Sequence, residues 1–247
     1  MSRIAVTGAH GFIGTHLTDW LQKNGHSVQP LRRYDANFAD PEPISPDLFE
    51  ASDAVVHLAG LAHTRGVPAG RLHAVNVKGA RRAAELAAAA NVRRFVLVST
   101  ALVHGDRSRG SPIAETSPLR PRTAYAASKL AGEQAVRDVG ARYGISVCII
   151  RPPLVYGPGA RGNIARLAAW ARGGRPLPAA TRHNRRSLIG VGNLAIMLAC
   201  AATDPEADDR TFLVSDGEPI STAALYEILC RQYGTRAWYL PVPAPII

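Results

Sequence analysis

The fold is decided by a glycine-rich stretch near the N-terminus, RIAVTGAHGFIG (Arg3–Gly14). The apolar run before Gly8 predicts a short strand, and the apolar residues after Gly11 recur at helical spacing. A strand that turns directly into a helix through spaced glycines is typical of a pyrophosphate-binding turn. We expect Gly8 to turn the chain, Gly11 to let the backbone approach a phosphate, and Gly14 to let the helix pack on the sheet. The first helical residues, Phe12 and Ile13, would supply N–H donors.

Strands and helices alternate through the first half of the chain. Apolar runs predict strands over residues 3–7, 27–31, 54–58, 94–99 and 146–151. Helical spacing predicts helices over residues 12–24, 74–90 and 124–143. This rhythm is typical of βαβ units, so we predict an α/β fold with a doubly wound parallel sheet.

The composition of the sequence changes after Arg151. Pro and Gly cluster in RPPLVYGPGARGN and again in RGGRPLPAA, as expected of loops. We predict short helices over residues 164–172, 193–202 and 222–233, and a strand over residues 211–214. The predicted domains are residues 1–152, which bind a dinucleotide, and residues 153–247, a smaller substrate-binding lobe with segments that return to the sheet.

Composition excludes several classes of protein. The chain has 247 residues, a formal net charge of +10 and 47% hydrophobic residues, which is an ordinary globular composition. No apolar run is long enough for a membrane span, and the N-terminus lacks a signal-peptide pattern, so we expect a cytoplasmic protein. The three cysteines are widely spaced, which argues against a disulfide framework or a metal site. No nucleic-acid motif accompanies the positive charge, so we expect no nucleic-acid partner; the charge is a solvated surface, a field that gathers an anionic nucleotide, or both.

Two motifs predict acid–base chemistry. Tyr125 and Lys129 are four residues apart in a predicted helix, so phenol and ammonium share one face. A nearby cation is expected to lower the pKa of a phenol toward the range where it exchanges protons near neutrality. Ser99 and Thr100 directly follow the strand RFVLVS, and strand ends of such sheets face the ligand crevice.

The second predicted strand ends in Leu31-Arg32-Arg33. Dinucleotide enzymes that use NAD carry an acid near this position, whereas arginine suits the 2′-phosphate of NADP. We therefore expect Arg32 and Arg33 to favour NADP(H). Asp35 is close by, so NAD(H) stays open.

The GxxGxxG spacing resembles the short-chain dehydrogenase/reductase superfamily, in its extended branch of nucleotide-sugar epimerases, dehydratases and reductases. Further stretches resemble the same family: VVHLAG, NVKG, STALVHG, the YxxxK pair, RPPLVYGPG and NRRSLIGVGNLA. The resemblance covers nearly the whole chain and implies a Rossmann-type fold. It implies three catalytic residues, namely Thr100, Tyr125 and Lys129.

The resemblance also implies binding residues. Those implied for the cofactor, besides the glycine turn and Arg32, are Leu58, Ala59, Gly60, Asn76, Ser99, Tyr125, Lys129, Pro152 and Val155. Those implied for the substrate are Thr100, Asn163 and Arg186, of which Arg186 would meet the phosphates. Asn76 is either structural or holds the active-site helix. His104 stands where the family has Tyr, and we interpret it as a structural substitution.

The resemblance implies an NAD(P)-dependent oxidoreductase acting at C4 of a nucleotide-activated sugar. Polysaccharide-pathway reductases of UDP-4-keto-6-deoxy-N-acetylhexosamines are the nearest likeness, and NADP(H) favours that reaction. The alternatives are a UDP-sugar 4-epimerase and a non-catalytic NADP-binding module. Two long predicted helices, residues 74–90 and 124–143, could pair with a twofold mate, so a homodimer is expected.

Overall fold

A parallel sheet organises the first of two units into which the chain divides. The structure is a computed structural model that describes residues 1–32, 35–40, 42–62, 66–108 and 111–241. The first unit comprises Met1–Pro153 and Val191–Val214. Its six strands, in spatial order, are β2 (Ser27–Leu31), β1 (Arg3–Thr7), β3 (Ala54–His57), β4 (Arg94–Val98), β5 (Ser146–Arg151) and β9 (Thr211–Leu213). Every neighbouring pair is parallel.

The sheet is covered by helices on both faces, which explains its near-continuous apolar strands. The helices of this unit are α1 (Phe12–Lys23), α2 (Ala69–His73), α3 (Ala80–Ala89), α4 (Ala124–Tyr143) and α6 (Val191–Thr203). Helices α3 and α4 pack together over one face, with alternate strand residues such as Val55 and Phe95 in the shared core. Helix α1 packs with α6. The α/β, doubly wound arrangement predicted from the sequence is confirmed.

The order of strands locates the ligand crevice. The chain runs from β1 outward to β2 and then returns to the other side of β1 with β3. In open α/β sheets, ligands bind outside the carboxyl ends of the strands where the strand order reverses. That point lies between β1 and β3.

The second unit comprises Leu154–Gly190 and Ser215–Ile247. It contains two short parallel pairs, β6 (Leu154–Tyr156) with β8 (Leu188–Gly190) and β7 (Leu177–Pro178) with β10 (Tyr239–Leu240). Helices α5 (Asn163–Arg172) and α7 (Thr222–Gln232) pack around buried Tyr226 and Cys230.

The structure differs from the sequence prediction in the helix after β3, and it adds four short strands in the second unit, β6, β7, β8 and β10. Residues 74–90 were predicted as one α-helix, but Ala74–Gly79 forms a π-helical turn between α2 and α3. Within residues 153–247, where segments were expected to return to the sheet, α6 buries Leu194 and Leu198 and β9 extends the main sheet, so Val191–Val214 belongs to the first unit. Among the described residues, no helix is both long and apolar enough to cross a membrane.

Candidate active site

The glycine turn after β1 closes against the end of β3. Gly8 has a φ of +68°, and a Cβ built there would lie 3.0 Å from Ala59 N. A Cβ on Gly14 would lie 2.3 Å from Gly8 O, closer than real atoms approach, so α1 packs on the turn only because residue 14 has no side chain. Gly11 precedes α1, and in the described part of the chain no side chain caps that helix. The first-turn N–H groups of Phe12 and Ile13 are therefore left for an anionic ligand, which fits a pyrophosphate.

A cleft with an empty volume of about 860 Å³, partly open to solvent, lies at the carboxyl ends of β1, β2 and β3. Six of the predicted cofactor residues line it: Gly8, Gly11, Arg32, Leu58, Ala59 and Gly60. The sequence analysis missed other lining residues, namely Thr7, Leu31, Ala36, Asn37, Phe38, Ala39, His57, Leu61 and Val75. The cleft thus has a polar glycine-lined part and an apolar part after β2, as an adenine nucleotide requires.

Arg32 is exposed at the rim of this cleft and is held by two neighbours. Its Nε donates to His10 Nε2 at 3.0 Å, which ties β2 to the glycine turn. Its backbone N–H donates to Asp35 Oδ2 at 2.6 Å, so this carboxylate is already bonded to its own loop. Arg33 lies outside the described residues.

Thr100 and Tyr125 come from different elements and meet at one hydrogen bond. Thr100 ends the segment after β4 and accepts from Leu102 N at 3.3 Å, starting a 3-10 turn (Ala101–His104). Thr123 caps α4 by accepting from Ala126 N at 3.1 Å, which fixes Tyr125 in the first turn of that helix. A side-chain hydrogen bond joins Thr100 to the Tyr125 phenol.

Lys129 lies one helical turn beyond Tyr125 and is buried. A Cβ on Gly60 would lie 3.7 Å from Lys129 Nζ, which places the ammonium at the loop after β3. Three predicted catalytic side chains and the cofactor-lining loop at Gly60 are therefore brought together at the carboxyl ends of the strands.

Burial governs the proton affinities here. It raises the pKa of Tyr125 to about 12, and the hydrogen bond from Thr100 offsets this only in part. It lowers the pKa of Lys129 to about 8, against a charge interaction with Glu133 that raises it. The expected lowering of the pKa of Tyr125 by Lys129 is thus not met, since desolvation of the phenolate dominates and the opposing effect comes from Thr100.

Asn76 links the π-helical turn to both the cleft and α4. Its Oδ1 accepts from Leu61 N at 2.9 Å, and its Nδ2 donates to Ser128 Oγ at 2.9 Å. Ser128 Oγ donates in turn to the Tyr125 carbonyl oxygen at 2.7 Å. Asn76 therefore holds the active-site helix against the loop after β3, and its predicted direct contact with a cofactor stays a prediction.

Comparison with known proteins assigns this chain to a family. The sequence profile of the NAD dependent epimerase/dehydratase family matches residues 4–215. This chain belongs to the NAD-dependent epimerase/dehydratase family. Membership confirms the predicted extended short-chain dehydrogenase/reductase type, its Rossmann-type fold and an enzyme class that depends on a nicotinamide cofactor.

Three similar proteins illustrate the family's range. A "UDP-glucose 4-epimerase" of Vibrio cholerae is 32% identical over 262 residues, covering 97% of this chain and 78% of that protein. A "Ceramide reductase" of Caulobacter vibrioides is 32% identical over 216 residues, covering 82% of this chain but only 61% of that protein. The structure of MoeE5 in complex with UDP-glucose and NAD superposes with a TM-score of 0.82 and 25% identity, covering 96% of this chain and 85% of that one.

The remaining predicted residues are distributed over both units. Ser99 and Pro152 follow β4 and β5 in the first unit. Val155 lies in β6, paired with Ile189 of β8, and exposed Asn163 begins α5 in the second unit. Arg186 is exposed there, and its Nε donates to Thr222 Oγ1 at 3.2 Å. Binding by these residues stays a prediction.

The sequence analysis did not predict a buried ion pair next to the candidate site. Glu133 and Arg151 form an ion pair beneath the candidate site, with Arg151 Nη2 2.6 Å from Glu133 Oε2. Arg151 Nη1 also donates to His104 Nε2 at 3.0 Å, so His104 Nδ1 carries the proton and donates to Ser117 O at 3.1 Å. The spacing of Glu133, four residues after Lys129, was the available signal. Within the described ranges, no cluster of three or more His, Cys, Asp or Glu side chains is arranged to hold a metal ion.

Proposed function

We propose that this chain is an NAD(P)-dependent enzyme that acts at C4 of a nucleotide-activated sugar, with 4-epimerisation of a UDP-hexose as its reaction. The observation that carries the proposal is the meeting of Thr100, Tyr125 and Lys129 beside a glycine-lined cleft. A hydroxyl, a phenol and an ammonium at one point can hold a sugar hydroxyl and move its proton.

The proposed mechanism divides the work among these side chains. A bound nicotinamide would accept and return hydride at C4. Tyr125 exchanges the proton of the C4 hydroxyl, and Thr100 orients that oxygen through the hydroxyl that already bonds the phenol. Lys129 lies beside Gly60, where it would hold the ribose of the cofactor and favour the phenolate once the site is filled. Phe12 and Ile13 would receive the pyrophosphate.

The substrate class is supported by two similar proteins and one side chain. The Vibrio cholerae relative matches almost all of this chain and is a UDP-glucose 4-epimerase, and MoeE5 binds UDP-glucose. Arg186 is the residue proposed for the diphosphate, since a guanidinium binds phosphate oxygens in a bidentate manner. Asn163 is proposed as a second substrate contact.

Reduction of a UDP-4-keto-6-deoxy-N-acetylhexosamine is the second candidate. It is favoured by Arg32, which sits at the rim of the cleft beside His10, because a guanidinium suits the 2′-phosphate of NADP(H). The cofactor proposed for this reaction is NADP(H), and NAD(H) is the one expected for epimerisation. A homodimer and the absence of a nucleic-acid partner stay predictions.

Product analysis separates the two reactions. The protein is incubated with UDP-glucose or UDP-N-acetylglucosamine, and separately with NADPH and UDP-4-keto-6-deoxy-N-acetylglucosamine. Epimerisation converts the first substrates to their C4 epimers without net change in nicotinamide absorbance. Reduction consumes NADPH in step with product. Turnover of neither substrate class, with cofactor bound, would refute action at C4 of these UDP-hexoses.

A further inference from the structure

A buried ion pair lies directly behind the three proposed catalytic side chains. Arg151 binds Glu133 in bidentate fashion, with Nε 3.0 Å from Oε1 and Nη2 2.6 Å from Oε2. Only 2% of the Glu133 surface and 5% of the Arg151 surface are exposed, so neither charge is stabilised by bulk solvent. A pair this deeply buried costs free energy to desolvate and is weak evidence for a role in stability alone.

Glu133 connects the elements that carry the site. Ser99 Oγ donates to Glu133 Oε1, and Ser99 immediately precedes Thr100. Arg151 is the last residue of β5 and immediately precedes Pro152. Tyr125, Lys129 and Glu133 follow one another at intervals of four residues on α4, so they occupy one helical face. One carboxylate therefore fixes the ends of β4 and β5 against the helix that presents the phenol and ammonium.

Glu133 is the negatively charged group that interacts with the Lys129 ammonium. From β3, His57 faces it with the pKa of its ring lowered to about 3, so this ring is neutral. From α4 it meets the neutral Tyr125 and the carboxylate of Glu133, which interacts with it electrostatically. From β5, Arg151 adds a positive charge to the group, and beyond it His104 is held neutral because burial and Arg151 lower its pKa. Without the carboxylate, Lys129 and Arg151 would both be buried cations that have lost the anion they share.

We propose that Glu133 is a positioning residue that keeps Lys129 charged and aligned while its ion pair with Arg151 holds Thr100 and Tyr125 in register. This rests on the proposed function of Lys129, but not on the identity of the substrate. Removal of the carboxylate should lower the pKa of Lys129 further, because burial then acts without the compensating anion and Arg151 is left unneutralised. As pH rises, Lys129 would then lose its proton before pH 8 is reached, and the phenol would lose the support of the ammonium.

The sequence makes a direct test practical, since it contains only three lysines, Lys23, Lys78 and Lys129. Protein labelled with 13C-lysine gives one titration curve for each Cε, and K129M assigns the curve of Lys129. The curves are compared for wild type, Glu133→Gln and Asp208→Asn. Asp208 is the matched control, because it pairs with buried Arg94 at the amino end of β4, away from the site.

The proposal expects Lys129 to titrate near pH 8 in wild type and at least about one pH unit lower in E133Q. D208N should leave the midpoint unchanged. An unchanged midpoint in folded E133Q would overturn the proposal, as would an equal shift in D208N. If E133Q does not fold, Arg151→Gln supplies the opposite test: with its counter-ion gone, Glu133 should raise the midpoint, and an unchanged or lower midpoint overturns the proposal. Failure of the C4 chemistry would appear in turnover and not in these curves.

Discussion

Asn76 Nδ2 donates to Ser128 Oγ at 2.9 Å, joining a π-helical turn on one element to the active-site helix on another. Single π-turns are rare and occur often at functional sites. Here the turn carries the amide that also holds Leu61, so one side chain links the loop after β3 to the first turns of α4. The position of Tyr125 is therefore set from a distance of about fifty residues along the chain.

Replacement of Asn76 by Ala should lower the free energy of unfolding by about 2–3 kcal/mol, because it removes three side-chain hydrogen bonds, two to Leu61 and one to Ser128, worth about 1 kcal/mol each. Cofactor affinity should fall with it, since the loop at Gly60 loses its support. Urea unfolding and cofactor titration check both effects. Gln134→Ala, on the exposed side of α4, is the control and should change neither. A loss of stability no greater than that of the control would contradict the role given to Asn76.

Arg32→Ala should weaken binding of NADPH about tenfold or more and leave binding of NADH nearly unchanged, since a charge-assisted contact of roughly 1.5–3 kcal/mol is removed. Arg231→Ala, an arginine of α7 in the second unit, is the control for the loss of one positive charge. Titration of both cofactors by tryptophan fluorescence measures the preference. Equal affinities of wild type for NADPH and NADH would remove the argument for a 2′-phosphate site.

Arg186→Ala should raise KM for the UDP-sugar far more than it lowers kcat, because a diphosphate anchor contributes alike to substrate and transition state. Arg185→Ala removes the adjacent exposed arginine and should have little effect on KM. Steady-state kinetics of the two variants decide the matter. Turnover of free sugars as fast as UDP-sugars would also count against the proposed anchor.

Lys129→Met should abolish a rise in stability with pH. The pKa of Lys129 is about 8 in the folded chain and 10.5, the ordinary value of a lysine, in the unfolded chain. Between pH 8 and pH 10.5 the unfolded chain therefore binds more protons than the folded chain. Wild type should therefore gain stability as pH increases from 8 to 10.5, by at most ~3 kcal/mol. The variant, which has no buried ammonium, should lack this gain and unfold at a higher temperature than wild type at pH 7. Parallel pH dependences for the two proteins would show that the ammonium is not buried as described.

The sequence predicted what depends on neighbours along the chain. The turn at Gly8 and Gly14, the helix over residues 124–143 and the spacing of Tyr125 and Lys129 are local, and each is present. Long-range features were not predicted. Glu133 contacts Arg151 only after α4 packs beside β5, and β6 pairs with β8, which lies more than thirty residues further along the chain. The prediction that the pKa of Tyr125 is lowered was wrong for the same reason, because sequence spacing shows a neighbouring charge but not the depth of burial.

Turnover by Tyr125→Phe tests the central claim most directly. The substitution keeps the ring and removes the hydroxyl that Thr100 bonds, so cofactor should bind as in wild type while kcat falls ~10²-fold or more. Tyr143→Phe, an exposed tyrosine at the end of the same helix, is the matched control and should retain full activity. Both are assayed with UDP-glucose and with the 4-keto sugar nucleotide, alongside cofactor titration. Retention of near-full turnover by Y125F, with unchanged cofactor affinity, would contradict the assignment of Tyr125 as the proton carrier.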